Sequence, residues 1–81
     1  MSELTRISVS DAEPLLGRLS DITDEEVAQG YDAYARHISY LHADDYGGDW
    51  KYVPQFRPGL DAFAGELDRR NLERPKGPYL L

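Results

Sequence analysis

Apolar residues recur at helical spacing in three stretches of the chain. The first stretch begins at Ser10, which forms a capping-box pattern with Glu13, so that each side chain can satisfy a backbone N–H at a helix start. Pro14 falls in the first turn, where its missing N–H costs little. The apolar stripe of this first predicted helix consists of Leu15, Leu16, Leu19 and Ile22. Residues 1–9 alternate weakly between apolar and polar positions, which predicts an extended arm or a short strand.

The second stretch has the clearest helical pattern. Thr23 and Glu26 repeat the capping box. Apolar residues then follow at spacings of three and four: Val27, Tyr31, Tyr34, Ile38 and Leu41. Gly30 lies inside this predicted helix, at a cost of about 1 kcal/mol relative to alanine. The pattern predicts a helix that buries one continuous face in the core.

A short aromatic element is predicted after the second helix. Gly47 and Gly48 break the chain there. Asp49 can cap at most one helical turn, residues 50–53, before Pro54 ends it. A single turn is stable only when it is held by packing.

The last helix is predicted to begin at Pro58 and Gly59. Its buried stripe consists of Leu60, Phe63, Ala64 and Leu67. Arg69 and Arg70 lie near its end, where cations interact favourably with the helix dipole. Together these elements predict an all-α fold, a compact four-helix bundle with a very short third helix, in a single helical domain over residues 1–81.

The composition excludes several classes of protein. The 81 residues include no cysteine, which rules out a disulfide framework, a thiolate zinc site and a cysteine nucleophile. No apolar run is long enough to span a membrane, and the N-terminus lacks the pattern of a signal peptide, so we expect a cytoplasmic protein without a membrane partner. The net charge of −6 argues against direct nucleic-acid binding and is compatible with a basic protein partner.

The residues that could catalyse a reaction or bind a metal are not arranged for either. His37 and His42 are five positions apart, so they do not share a helix face. The pair Gly47-Gly48 is no phosphate loop, because Asp49 follows it and would repel an anion. We therefore predict no catalytic residue, no metal site and no cofactor, and a chain that is not an enzyme.

Acidic residues are concentrated in the middle of the chain. Only Arg36 opposes eight acids there: Asp21, Asp24, Glu25, Glu26, Asp32, Asp44, Asp45 and Asp49. The end of the chain reverses this balance, with Glu73 facing four basic residues: Arg69, Arg70, Arg74 and Lys76. Two interpretations are open, a solvated helix face or an electrostatic docking surface for a basic partner.

Three large aromatic residues, Tyr46, Trp50 and Tyr52, lie within seven positions around the glycine pair. Some of these rings must pack inward to hold a one-turn helix, but one turn cannot easily bury all three. We therefore expect at least one exposed ring among acids, which is the composition of an interface hot spot.

With these features the chain resembles the immunity proteins of the nuclease colicins and pyocins. Their short third helix carries a glycine, an aspartate, two apolar residues, two tyrosines and a proline. The corresponding segment here is Gly47-Gly48-Asp49-Trp50-Lys51-Tyr52-Val53-Pro54, in which Asp49, Tyr52 and Pro54 match and Lys51 and Val53 depart. In addition, His37-Ile38 is similar to the family's His-Phe pair, and Lys76-Gly77-Pro78-Tyr79 to its Lys-x-Gly-Phe ending.

The resemblance implies a four-helix domain that binds the basic nuclease domain of a toxin beside its active site and excludes DNA. By position, it implies a shared anchor at Asp49 and Tyr52, with Val53 in a weaker role. It also implies a specificity face on the second helix that includes Tyr31, Asp32, Ala35 and Ser39. Tyr31 falls on the predicted core face as well.

We therefore expect a binding protein that neutralises a nuclease toxin and is monomeric when free. The acidic start of the second helix, Asp24, Glu25 and Glu26, would attract the basic partner. The alternative is a small acidic inhibitor of another nucleic-acid enzyme, such as a phage protein that mimics the charge of DNA. A mimic would spread its acids evenly, whereas here they cluster and aromatic residues interrupt them.

Overall fold

The computed structural model describes residues 5–43, 52–79 and 81. Over these residues the fold is helical and has no strand; its elements are α1 (Val9–Ala12), a 3₁₀ helix (Glu13–Arg18), α2 (Asp24–Ala43) and α3 (Val53–Arg69). The predicted all-α class is confirmed, but the described residues form three α-helices instead of four. In this part of the chain no helix is long and apolar enough to cross a membrane.

The prediction for the first helix was wrong in its start and its type. The cap is Ser8 and not Ser10: the Ser8 hydroxyl accepts a hydrogen bond from the Asp11 N–H at 3.2 Å. After one α-helical turn the chain tightens into the 3₁₀ helix, with Pro14 at its start. Pro14 has no N–H for the α-helical hydrogen bond, which favours a change of helix type here, although α3 continues as an α-helix through Pro58 at the corresponding position. The chain before α1, predicted as an arm or a strand, forms no strand from residue 5 onward.

The structure of α2 confirms the sequence prediction. The Thr23 hydroxyl accepts from the Glu26 N–H at 3.1 Å, and the Glu26 carboxylate accepts from the Thr23 N–H at 2.9 Å. This reciprocal pair is the predicted capping box. All five predicted core residues of the helix are buried: Val27, Tyr31, Tyr34, Ile38 and Leu41.

The last helix begins earlier than predicted, and the first half of the predicted one-turn element over residues 50–53 lies outside the described residues. The helix α3 starts at Val53 and continues through Pro58, so Pro54 lies inside it and the predicted start at Pro58 was wrong. Pro54 lies in the first turn, where no intrahelical donor is needed. Pro58 removes only one backbone hydrogen bond near the helix start. The predicted stripe on this helix is confirmed, because Leu60, Phe63, Ala64 and Leu67 are all buried.

The two long helices approach each other through reciprocal glycine–aromatic contacts. A Cβ atom on Gly30 of α2 would overlap the ring of Phe63 from α3. A Cβ on Gly59 of α3 would come within 2.5 Å of the Tyr34 ring from α2. Each glycine therefore leaves the space that an aromatic ring of the other helix fills. The rings of Tyr34 and Phe63 also contact each other, with centroids 5.8 Å apart.

The arm before α1 and the tail after α3 cover a further side of α2. The Gln29 side chain donates to the Thr5 carbonyl at 3.0 Å, and Arg36 Nη2 donates to the Ile7 carbonyl at 2.8 Å. In the tail, the edge of the Tyr79 ring packs on Tyr31, with centroids 6.2 Å apart. As a result α2 is the central helix, and only its two ends are widely accessible.

Candidate partner-binding surface

An exposed group of aromatic side chains lies where α2 ends and α3 begins. Tyr40 is 67% exposed and stacks on His37, with ring centroids 6.5 Å apart. His37 in turn meets the Phe56 ring edge-on at 4.5 Å. Tyr52, one helical turn before Phe56, is 46% exposed. We call these four residues the aromatic surface; tyrosines with accessible rings are frequent anchors in protein interfaces.

The residues of the predicted anchor differ in their accessibility to a partner. Tyr52 lies in the aromatic surface, as an interface role requires. Val53 is buried in the first turn of α3 and offers a partner almost no surface. Asp49, Trp50 and Tyr46 lie outside the described residues.

The predicted specificity face is not a surface of the folded chain. Tyr31, Asp32 and Ala35 are buried, and Ser39 is half-buried. The arm and the tail cover this side of α2, and Asp32 is central to that contact: it accepts hydrogen bonds from Arg36 Nε at 2.7 Å and from the Tyr79 hydroxyl at 2.5 Å. Burial, followed by the hydrogen bond to Asp32, raises the pKa of Tyr79 above its ordinary value. We therefore assign Asp32 to holding the tail.

The acids at the start of α2 differ in what they offer a partner. Asp24 is exposed but bonded to Arg70 at 2.8 Å, and Glu26 is engaged in the capping box. Glu25 and Asp21 are exposed and have no ion-pair partner among the described residues. Since Glu25 precedes Tyr40 by 15 positions, the acidic start and the aromatic surface lie about 22 Å apart along the helix. The structure does not bring these two predicted features together.

The basic end of the chain is largely neutralised by acids from other turns. Glu66 is buried and accepts hydrogen bonds from Arg69 and from Arg70 Nε, the latter at 2.6 Å. Arg70 also reaches back to the carbonyls of Leu19 and Ile22 at 2.7 and 3.0 Å. This contact fastens the end of α3 to the loop before α2. In the tail, Arg74 bonds Asp68 and Lys76 bonds Glu73.

The Glu66 contact predicts a specific loss of stability in acid. Hydrogen bonds from Arg69 and Arg70 lower the pKa of Glu66 from 4.5 to about 2. A lowered folded-state pKa means that the stabilisation is complete above about pH 4.5 and is lost as the pH falls towards 2. We expect Glu66→Gln to melt several degrees below the native protein at pH 6, and this difference to shrink steadily towards pH 2. Calorimetry across this range measures it; a difference that stays constant with pH would contradict the assigned role.

Sequence reasoning missed three members of the aromatic surface. Tyr40 lies off the core stripe of its helix, and a large aromatic residue at such a position could have indicated an accessible ring. His37 was considered as a metal ligand and as part of the His37-Ile38 pair, but not as a member of an aromatic group, although it contacts two rings. Phe56 lies between Pro54 and Pro58, and two prolines so close together suggested a loop and not a helix. Within the described ranges, no three His, Cys, Asp or Glu side chains are grouped closely enough to hold a metal ion.

Comparison with known proteins identifies no relative. No protein-family model matches the chain, and neither a curated protein nor a solved structure matches it. The resemblance to the nuclease immunity proteins therefore rests on the sequence motifs alone.

Proposed function

We propose that this chain is a binding protein that neutralises a basic nuclease toxin and docks on it through the aromatic surface. The observation that carries the proposal is the exposure of Tyr40 and Tyr52 at one end of a domain whose core rings are otherwise packed. Two accessible tyrosines flanked by half-buried His37 and Phe56 offer the rigid, amphipathic contact area that central interface residues provide.

The net charge of the chain and its sequence resemblance support a particular class of partner. A net charge of −6 favours association with a basic protein over binding to nucleic acid. The segment 47–54, which resembles the third helix of the immunity proteins, leads directly into Tyr52 and α3. Among basic proteins in general, this resemblance favours a nuclease toxin as the partner. The aromatic surface and this segment are adjacent in the chain, so a single docking event can use both.

The DNA-mimic alternative is less well supported. A mimic presents a regular series of uncompensated acids that replaces the phosphates of DNA. In the described part of this chain, five acids form ion pairs with arginine or lysine: Asp24, Asp32, Glu66, Asp68 and Glu73. These five acids stabilise the fold or its tail, and their compensated charges do not imitate a phosphate row.

A substitution at Tyr52 tests the docking surface. We expect Tyr52→Ala to weaken binding of the toxin at least tenfold, because truncating a central interface tyrosine typically costs about 2 kcal/mol or more. The free variant should stay folded, since a ring that is 46% exposed contributes little to the core. Calorimetric titration with the nuclease domain, alongside circular dichroism of the free protein, gives both values.

Tyr52→Phe is the matched control, because it keeps the ring and removes only the hydroxyl. A variant Tyr52→Ala that binds with native affinity would exclude the aromatic surface as the docking site. If that variant instead unfolds, Tyr40→Ala repeats the test at the more exposed ring. A Tyr40→Ala variant that binds with native affinity would likewise exclude the aromatic surface as the docking site.

A salt series tests the electrostatic part of the proposal. We expect association to slow steeply between about 0.01 and 0.15 M salt, while dissociation changes much less, because screening weakens long-range attraction and spares close contacts. Asp21→Asn with Glu25→Gln should flatten this dependence, since these acids are exposed and unpaired among the described residues. Stopped-flow mixing with the nuclease domain measures both rates. An association rate indifferent to salt would mean that the acids confer only solubility.

A further inference from the structure

The arm and the tail enclose a groove over α2, away from the aromatic surface. The arm is fastened by Gln29 and Arg36, and the tail by the hydroxyl of Tyr79 on Asp32. Between them lies a space of about 1180 Å³. This is slightly larger than typical sites for small organic ligands, which range over about 300–1,000 Å³, so such a ligand would fit without filling the groove.

The groove is cationic although the protein is acidic. Among the described residues that line it, three are basic, Arg6, Arg36 and Lys76, and one, Asp32, is acidic. The Asp32 carboxylate already accepts hydrogen bonds from Arg36 and Tyr79, so its negative charge is partly compensated and repels an anionic ligand less strongly. Lys76 shares its charge with Glu73 at 2.8 Å. Arg36 is likewise paired with Asp32, at 2.7 Å, so among the described residues that line the groove the positive charge without an acidic partner is that of Arg6.

Both arginines retain donors for an oxyanion. Arg6 is exposed and has no ion-pair partner among the described residues. Arg36 uses Nε for Asp32 and Nη2 for the Ile7 carbonyl, while Nη1 has no hydrogen-bond partner within the same part of the chain. A planar guanidinium presents paired donors that match a carboxylate or a phosphate. The hydrogen bonds to Asp32 and Ile7 also hold Arg36 in a fixed orientation before a ligand arrives.

The lining of the groove also includes apolar groups. They are Pro75, Pro78 and the half-buried ring of Tyr79. A ligand that contacts both the arginines and these apolar groups carries an oxyanion at one end and an apolar or aromatic body at the other. Ligand sites commonly combine apolar lining with a few polar groups.

We propose that this groove binds a small organic anion, a phosphate monoester or a carboxylate on an apolar body, with the oxyanion at Arg6 and Arg36. The body lies against Pro75, Pro78 and Tyr79. This site uses none of the residues of the aromatic surface and stands whether or not the chain binds a toxin.

Titrations followed by ¹⁵N nuclear magnetic resonance test the site with three probes. Phenyl phosphate and phenylacetate carry the two candidate oxyanions on the same ring, and benzyl alcohol is their neutral counterpart. We expect saturable shifts in residues 5–8 and 75–79 with at least one of the anions, and none with benzyl alcohol. Which anion binds more tightly assigns the phosphate or the carboxylate as the ligand group.

Two arginine variants make the test specific. Arg6→Gln should weaken binding of the preferred anion at least fivefold, because it removes one of the two guanidinium groups. Arg18→Gln removes an exposed cation outside the groove and should leave the affinity unchanged. Arg36 is spared because it also holds the arm. Shifts that do not saturate with either anion, equal binding of benzyl alcohol, or equal weakening by Arg18→Gln would each overturn the proposal.

Discussion

Replacing Phe63 with alanine is expected to lower the free energy of unfolding by about 3–5 kcal/mol, the usual loss when a large buried ring is removed. Phe63 is fully buried, contacts the ring of Tyr34, and fills the space that Gly30 leaves between α2 and α3. Neighbours cannot close the resulting cavity easily, because the glycine opposite has no side chain to move. Since small domains have total stabilities of about 5–15 kcal/mol, this variant should retain little of the native stability.

Urea unfolding followed by circular dichroism measures this loss. Phe56→Ala is the matched control, because it makes the same change at a half-buried ring on the same helix. Its cost should be clearly smaller than that of Phe63→Ala. Equal costs at the two positions would show that Phe63 does not have the central packing role assigned to it.

Gly30→Ala is expected to destabilise the protein by about 1–3 kcal/mol, the cost of overpacking a core. Helix propensity alone predicts the opposite, since alanine is favoured over glycine inside a helix by about 1 kcal/mol. The structure reverses this sign because a Cβ at Gly30 would overlap the buried ring of Phe63. The ring cannot swing aside without leaving the core.

Two further variants separate the effect of helix propensity on stability from the effect of core packing. Gly65→Ala in α3 is the control, because a Cβ there meets nothing within 4 Å, and it should stabilise the protein by about 0.5–1 kcal/mol. Combining Gly30→Ala with Phe63→Leu should cost less than the sum of the two single changes, since the smaller side chain makes room for the methyl group. A Gly30→Ala variant that is as stable as Gly65→Ala would refute the reciprocal contact.

The aromatic surface shows how tertiary structure changes the meaning of a charge pattern. In the sequence, the acids and the aromatic residues form one continuous region that suggests a single docking face. In the folded chain the acidic start of α2 is at the opposite end from Tyr40, and Asp24 is paired with Arg70. The proposed function therefore places contact in the aromatic surface and gives the exposed acids only long-range attraction.

The sequence by itself determined those features that depend on neighbours within one helical turn. The capping box of Thr23 and Glu26 and the buried faces of α2 and α3 could be predicted because residues three and four positions apart share a helix face. The same local rules misplaced the starts of α1 and α3. A proline has a small cost in a first turn, so its presence alone does not say whether a helix ends before it or begins with it.

Only the tertiary structure decided which side of α2 remained accessible. The contacts of Asp32 with Tyr79, Arg70 with Asp24, and Gly30 with Phe63 join residues that are more than 30 positions apart. Such pairs depend on how the helices, the arm and the tail pack, and a local pattern does not encode that arrangement. For this reason periodicity correctly predicted a core position for Tyr31, while the burial of Asp32 emerged only from the packed fold.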